Sequence, residues 1–224
     1  IPTNKKTQYY NFIKSRSSLS IDPVFIDPDF MYLGIDTDVR YNINLTALNS
    51  ESVKERILST IRTYNSSALD KFDVTFRYSN FVKELDATER SIISNDTVVR
   101  AIKIITPTVG VQKNYDLSFE QALDAGFSKL DSSHSSKKYS VISSSEFVTN
   151  NKTVKIEDDG KGNLRTVYLD GEDYVEVTQV GTVDYTTGKI QILNMNVTSY
   201  SGSGIKIYAR TSRKDIKSTL RTIL

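Results

Sequence analysis

Hydrophobic and polar side chains alternate most regularly between Met31 and Tyr41. Every second position is apolar, apart from one threonine, and the positions between them include Asp36 and Asp38. Alternation with a period of two and charges on one face is typical of a half-buried strand. The pattern therefore predicts a strand over residues 31 to 41.

Helical periodicity follows in residues 51 to 65 and again in residues 79 to 86. In the first segment the apolar residues fall on one face of a 3.6-residue helix, and Asn49 or Ser50 stands at the N-cap position. That face comprises Val53, Ile57, Leu58, Ile61 and Tyr64. The second segment has helical spacing at Tyr78, Phe81, Val82 and Leu85. Two helices are predicted here, and apolar spacing in residues 9 to 13 predicts another short one.

The second half of the chain is predicted to consist mainly of strands. After a strand over residues 97 to 105, residues 118 to 127 suit one or two helical turns, and the serine-rich residues 131 to 138 suit an exposed, mobile loop. From residue 151 onward, turns containing glycine separate strand-like runs, as in a meander or a small sandwich. Residues 211 to 224 are predicted to form an amphipathic C-terminal helix.

These elements predict an α+β fold with two domains. A helix-on-sheet domain is expected over residues 1–110 and a small β-rich domain of the meander or sandwich type over residues 151–224. A loop-rich connection, residues 111–150, is expected to join them. The first residues lack an initiator Met and the features of a signal peptide, so the chain is expected to be an N-terminally truncated piece of a longer polypeptide.

Composition narrows the classes of function further. The chain has 224 residues, a net charge of +2 and no Cys. A balanced charge does not favour nucleic acid or an anionic membrane as a partner. The lack of Cys excludes disulfides, thiolate metal sites and cysteine nucleophiles. No apolar run approaches the ~20 residues that a membrane-spanning helix needs.

Residues able to perform catalysis do not form a recognisable site in the sequence. His134, the single histidine, lies in the serine-rich loop and is interpreted as solvated. Asp158 and Asp159 lack the spacing of a calcium loop and are interpreted as part of a hairpin turn. Asp36 and Asp38 have a spacing found in some metal and glycosidase sites, but a solvated strand face accounts for them. No catalytic, cofactor-binding or metal-binding residue is predicted, and the chain is predicted not to be an enzyme.

A basic tail is the remaining charged feature. Its residues are Arg210, Arg213, Lys214, Lys217 and Arg221. Five charges with few aromatic neighbours are a weak indication of phosphate binding, and they are interpreted as the polar face of the C-terminal helix.

The order of three motifs resembles the phage baseplate J-like family. The motifs are Asp27-Pro28-Asp29-Phe30 before the first strand, Phe76-Arg77-Tyr78-Ser79 at the second helix, and Ile92-Ile93-Ser94-Asn95-Asp96 after it. The likeness covers residues 20 to 105, and it is nearest to the C-terminal part of the large baseplate wedge subunit of T4-type contractile-tailed phages. Residues 180 to 193 also resemble a hairpin common in phage tail and baseplate proteins.

This resemblance implies a J-like helix-on-sheet domain and a structural role in the virion. The expected protein is a component of the tail baseplate, assembled in the host cytoplasm, that links wedge subunits into a ring around the tail tube. Its expected partners are a second copy of itself, as a homodimer, and neighbouring wedge subunits, without nucleic acid, membrane or cofactor. The candidate interface residues are Arg77, Lys83, Glu84, Glu89, Arg90 and Tyr185.

The residues leave two other functions open. Exposed aromatic residues among the 13 Tyr and 9 Phe would suit a surface or adhesin-like module that binds carbohydrate. A small hydrolase would use Asp36 and Asp38. Glycan binding would favour the module, loss of turnover on changing Asp36 would favour the hydrolase, and self-association that depends on concentration would favour the scaffold.

Overall fold

The computed structural model describes residues 3–17, 22–24, 30–71, 74–125, 129–130, 137–171, 173–217 and 222–223. The described residues include three α-helices: α1 (Thr3–Lys14), α2 (Ser50–Tyr64) and α3 (Tyr78–Asp86). A 3₁₀ turn, Ile43–Leu45, precedes α2, and a π-helical turn, Asn65–Leu69, follows it.

Strands make up most of the remaining described structure. They are β1 (Phe30–Tyr41), β2 (Thr75–Phe76), β3 (Ile92–Ile105), β4 (Lys113–Ser118), β5 (Lys129–Leu130), β6 (Lys137–Tyr139), β7 (Ile142–Ser144), β8 (Phe147–Thr149), β9 (Lys152–Asp158), β10 (Asn163–Asp170), β11 (Asp173–Asp184), β12 (Lys189–Met195), β13 (Ser199–Tyr200), β14 (Ile205–Ala209), β15 (Ile216–Lys217) and β16 (Thr222–Ile223). The predicted α+β class is confirmed by this mixture of strands and helices.

One sheet of twelve strands runs through the described parts of the chain. Its order is β16-β1-β3-β14-β7-β9-β10-β11-β12-β4, with β8 pairing β9 and β13 pairing β8 beside this path. Strand β14, from the predicted β-rich domain, pairs with β3 of the predicted first domain on one side and with β7 of the predicted connection on the other. The division into domains at residues 110 and 150 stays a prediction.

The predicted strand over residues 31 to 41 is confirmed as β1, and it pairs antiparallel with β3 from Tyr32 to Tyr41. The predicted helices over 51–65 and 79–86 are confirmed as α2 and α3. Asn49 caps α2, because its side-chain oxygen accepts a hydrogen bond from the backbone N–H of Ser52 at 2.8 Å. The core contains Met31 of β1, Ile57 of α2 and Phe81 of α3, all buried. The J-like arrangement of these elements stays a prediction.

The predicted meander is confirmed in strands β9 to β12, each of which pairs antiparallel with the next. At the turn between β9 and β10, Asp159 accepts hydrogen bonds from the backbone N–H groups of Lys161 and Asn163, at 2.7 and 3.0 Å. The turn between β11 and β12 requires glycine. Gly188 has a φ of 70°, and a Cβ there would lie 2.3 Å from the carbonyl oxygen of Gln121.

Two helical predictions are wrong for the described residues. In the segment 118 to 127, Phe119 is buried, and Leu123 forms a β-bridge with Thr211 instead of continuing a helical turn. In the segment 211 to 224, Ile216 is buried and pairs with Phe76 in a two-stranded sheet. Tertiary partners therefore override a helical pattern in both places, since each apolar side chain reaches the core from an extended backbone.

Other predicted elements differ in extent. The third strand begins at Ile92, five positions before the predicted start at Thr97, because β1 is long enough to pair with the additional residues. The predicted N-terminal helix is confirmed as α1, although Tyr9 and Phe12 are 50% and 56% exposed. Of the predicted mobile loop over 131 to 138, residues 131–136 lie outside the described residues, and the backbone at 137 belongs to β6.

Candidate assembly interface

Helix α3 is held on the molecule by an aromatic cluster. The ring of Tyr64 lies edge-on to the rings of Phe76 and Phe81, with centroids 6.3 and 5.2 Å apart, and the centroids of Phe76 and Phe81 are 5.4 Å apart. Both phenylalanines and Leu85 are buried. Edge-to-face packing adds about 0.5–1.5 kcal/mol to burial for each aromatic pair. The apolar face of α3 is therefore fixed, and its opposite face is presented outward.

The N-terminus of α3 is capped from the C-terminal part of the chain. The backbone N–H of Tyr78 donates to Oδ1 of Asp215 at 2.9 Å, and the N-cap residue Arg77 makes no side-chain capping bond. The guanidinium of Arg77 lies 3.6 Å from Oδ2 of Asp215. A carboxylate at this position satisfies an unpaired helix N–H group and faces the positive end of the helix dipole. Lys214 adds a cation–π contact at the same helix end, with its Nζ 4.4 Å from the centre of the Tyr78 ring.

A basic pocket of about 620 Å³, lined in part by Arg77, Arg213 and Lys217, lies beside this cap. Among the described residues that line it, Asp215 is the only carboxylate, so the described cations outnumber the anions there. Gln121 also lines the pocket, and its side-chain Nε2 is buried without a hydrogen-bond partner. The structure therefore places the candidate interface residue Arg77 in a positively charged pocket that sequence reasoning did not predict.

Three other candidate interface residues lie on the surface near α3. Lys83 and Glu84 are exposed on the helix, and Arg90 is exposed in the turn that leads to β3. Glu84 also lines a pocket of about 440 Å³, together with residues of α2 and the π-helical turn. These positions are available to a partner.

Glu89 is more restricted. Its carboxylate forms an ion pair with Arg56 of α2, and its side chain is only 13% exposed. This pair ties the turn after α3 to α2. Glu89 therefore already has a structural role within the chain.

Tyr185 has a structural role in the β-rich part of the chain. Its hydroxyl donates to Oδ2 of Asp158 at 2.6 Å, and Asp158 is completely buried. The same carboxylate accepts hydrogen bonds from the backbone N–H groups of Ile142, at 2.9 Å, and Gly160, at 3.1 Å. Burial, followed by the hydrogen bond to Asp158, raises the pKa of the Tyr185 hydroxyl well above its usual value.

The residues considered for chemistry that the structure describes do not assemble into a reactive centre. Asp36 and Asp38 are exposed on β1, where Asp38 lies directly opposite Asp96 of β3. Asp159 belongs to the turn described above, and His134 lies outside the described residues. No group of three or more His, Cys, Asp or Glu residues suited to a metal ion occurs in the described part of the chain. None of the described helices is long and apolar enough to cross a membrane.

Sequence reasoning missed the grouping of the basic tail with α3. Arg213, Lys214 and Lys217 were attributed to the polar face of a helix, whereas they lie around the capped end of α3. The density of basic residues was visible in the sequence. Their location was not, because it depends on the pairing of Ile216 with Phe76 across the fold.

Comparison with known proteins shows which family part of the chain resembles. Residues 29–103, which include β1, α2, α3 and most of β3, match the family model described as "Baseplate structural protein gp6, C-terminal domain III". Residues 29–103 are thus similar to a C-terminal domain of a baseplate wedge protein, and the predicted relationship to the C-terminal part of a wedge subunit is confirmed.

A particular relative supports the same relationship along nearly the whole chain. Over 220 residues the chain is 20% identical to the baseplate wedge protein gp6 of Enterobacteria phage T4. The alignment covers 96% of this chain and 31% of that protein, so the chain spans less than a third of the relative's length. The predicted location in the tail baseplate of the virion is confirmed by this relationship. Neither comparison supports the adhesin-like alternative.

Proposed function

We propose that this chain is a non-catalytic assembly module that links wedge subunits into a ring around the tail tube. It pairs with a second copy of itself and contacts neighbouring wedge subunits. The observation that carries the proposal is the match of residues 29–103 to a baseplate structural family. The gp6 relative, a wedge protein by name, supports a role in contacts with other baseplate subunits.

The surface around α3 supports protein–protein contact without chemistry. It combines exposed charges of both signs, Lys83, Glu84 and Arg90, with the positively charged pocket at Arg77. Such charges give an interface its register and its partner selectivity. The buried aromatic cluster beneath α3 keeps this surface rigid, which lowers the entropic cost of binding.

Analytical ultracentrifugation over a concentration series tests self-association. A fragment of a larger protein often associates weakly when part of its interface is missing, so a dimer is expected at high concentration. Binding to purified wedge subunits, measured by co-sedimentation, tests the second partner. A chain that stays monomeric at high concentration and binds no wedge subunit would contradict the proposal.

A pair of charge reversals locates the contact. Lys83→Glu combined with Arg90→Glu should weaken self-association or wedge binding by about two- to thirtyfold, since each of two exposed ion pairs contributes about 0.2–1 kcal/mol. Lys5→Glu combined with Lys161→Glu is the matched control, because it makes the same charge change at exposed positions away from α3. Equal effects of the two variants would show that only net charge matters and that the α3 surface is not the interface.

A further inference from the structure

Strand β1 has an edge that the described part of the chain leaves open. On one side β1 pairs with β3, and on the other side the described residues of β16 pair with Phe30 and Met31. No described strand pairs with the outer side of β1 from Leu33 to Tyr41. In an antiparallel pair, alternate residues direct both N–H and C=O away from the partner strand. This edge therefore presents a row of backbone donors and acceptors roughly 30 Å long.

The inner face of the same edge is apolar and incompletely covered. Leu33, Ile35, Val39 and Tyr41 are packed against the core but remain only half-buried. Side chains from an added strand would lie beside them on that face. A long edge with a partly exposed apolar row is normally covered or blunted, because it otherwise promotes uncontrolled strand pairing.

The outer face of this edge is acidic at its centre. Asp36 and Asp38 are exposed, and Asp96 lies directly opposite Asp38 on the neighbouring strand. Like charges opposite each other in a sheet are destabilising. Arg40 and Arg100 lie toward the two ends of this face, and neither forms an ion pair with these carboxylates.

This charge pattern disfavours a second copy of β1 as the occupant. In a dimer formed by antiparallel pairing of two β1 strands, a two-fold axis through Asp36 or Asp38 would place that carboxylate opposite the same residue of the second copy. An axis through Thr37 would place Asp36 against Asp38 twice. The axis through Thr37 is the one that pairs the whole edge from Leu33 to Tyr41 with itself, so complete self-pairing brings carboxylates together, which costs free energy. A register shifted to place Asp38 against Arg40 would leave residues 33 to 36 without strand partners. A strand with basic side chains on this face would remove the repulsion instead.

We propose that the open edge of β1, from Leu33 to Tyr41, receives an extended basic segment of a different polypeptide as an additional antiparallel strand. Backbone hydrogen bonds along the edge provide affinity, and Lys or Arg residues opposite Asp36 and Asp38 provide selectivity. Apolar residues at the alternate positions contact the row from Leu33 to Tyr41. This inference relies on the proposed assembly function only for the source of the segment, a neighbouring baseplate subunit.

A synthetic strand tests the proposal on the chain itself. The probe is an acetylated, fluorescently labelled nine-residue peptide of alternating Val and Lys, and its control carries Glu in place of Lys. Fluorescence anisotropy should show tighter binding of the Lys peptide. Hydrogen exchange should show new protection of amides between Leu33 and Tyr41 when that peptide is bound. Asp36→Asn combined with Asp38→Asn should weaken its binding by at least about threefold.

An N-methylated peptide separates strand addition from simple charge attraction. Methylation of alternate backbone nitrogens keeps the charge of the Lys peptide but removes the N–H groups that pair with the edge. If the peptide adds as a strand, the methylated Lys peptide should bind much more weakly than the unmethylated one. In a separate test, Asp36→Lys combined with Asp38→Lys should make the chain bind the Glu peptide more tightly than the Lys peptide. Equal binding of the methylated and unmethylated peptides, or protection located away from β1, would overturn the inference. Self-association measured in the same samples reports separately on the proposed function.

Discussion

The hydroxyl of Tyr185 provides a sharp test of how the β-rich part of the chain is stabilised. Tyr185→Phe removes the donor 2.6 Å from Asp158 and leaves the rest of the ring in place. Asp158 is completely buried, so a water molecule does not easily replace the lost hydrogen bond. A hydrogen bond to a charged group contributes about 1.5–3 kcal/mol. The free energy of unfolding should therefore fall by about that amount.

Tyr115→Phe is the matched control. The hydroxyl of Tyr115 is buried without a hydrogen-bond partner, so its removal eliminates an unsatisfied polar group. An unsatisfied buried group costs about 1–3 kcal/mol. Stability should therefore stay unchanged or increase in this variant, although both substitutions remove the same single oxygen atom.

Thermal unfolding followed by circular dichroism distinguishes the two variants. For a chain of this size, 1 kcal/mol corresponds to a shift in Tm of about 2–4 °C. Tyr185→Phe should lower Tm by about 3–12 °C, and Tyr115→Phe should not lower it. If Tyr185→Phe changes the unfolding free energy by less than ~0.5 kcal/mol, its hydroxyl has no structural role and Tyr185 returns to the list of free interface residues.

Three further predictions address other parts of the fold. Ile57→Ala should lower the free energy of unfolding, measured by urea denaturation, by about 2–5 kcal/mol if its site in α2 is fully packed. Ile43→Ala is the control, because this side chain is 70% exposed, and it should lower the same free energy by less than ~0.5 kcal/mol. Asp215→Ala should lower the free energy of unfolding by about 0.5–2 kcal/mol, because α3 loses its cap, whereas Asp215→Asn should retain most of the stability. If the Asn variant were less stable than the Ala variant, Asp215 would not act as a cap. The pKa of the Tyr185 hydroxyl is raised in the folded state, so the contribution of this hydroxyl to stability should be complete below pH ~10 and should be lost as the pH rises further. The decrease in Tm at alkaline pH should therefore be smaller in Tyr185→Phe than in the unchanged chain.

Periodicity predicted the elements whose own side chains determine their conformation. Strand β1 and helices α2 and α3 were all predicted within one or two residues of their ends, because each buries one regular face against the core. The turn at Asp158 and Asp159 was also predictable, because an Asp side chain hydrogen-bonds to the nearby backbone and Gly adopts a positive φ without steric cost. These features can be predicted without knowing which distant residues they contact.

Features that depend on distant partners were not predictable in the same way. Leu123 and Ile216 have helical spacing in the sequence, but their conformations are set by Thr211 and Phe76. The candidate interface was predicted as five charged residues and one tyrosine. The structure leaves Lys83 and Arg90 exposed, whereas Glu89 and Tyr185 bind partners within the chain. A single sequence reveals that a charge exists and does not reveal which partner it meets.

The position of β14 between β3 and β7 has a consequence for synthesis on the ribosome. Ile205 lies opposite Ile105, so one side of β3 stays without its partner until about a hundred more residues have been made. Pairing across such a sequence distance carries a large loop-closure entropy and slows folding. Until β14 is made, the C-terminal end of β3, residues 101–105, has an unpaired apolar edge in the nascent chain, and such edges are prone to aggregation. Completion of the sheet is therefore a late event that couples the two halves of the chain in time as well as in space.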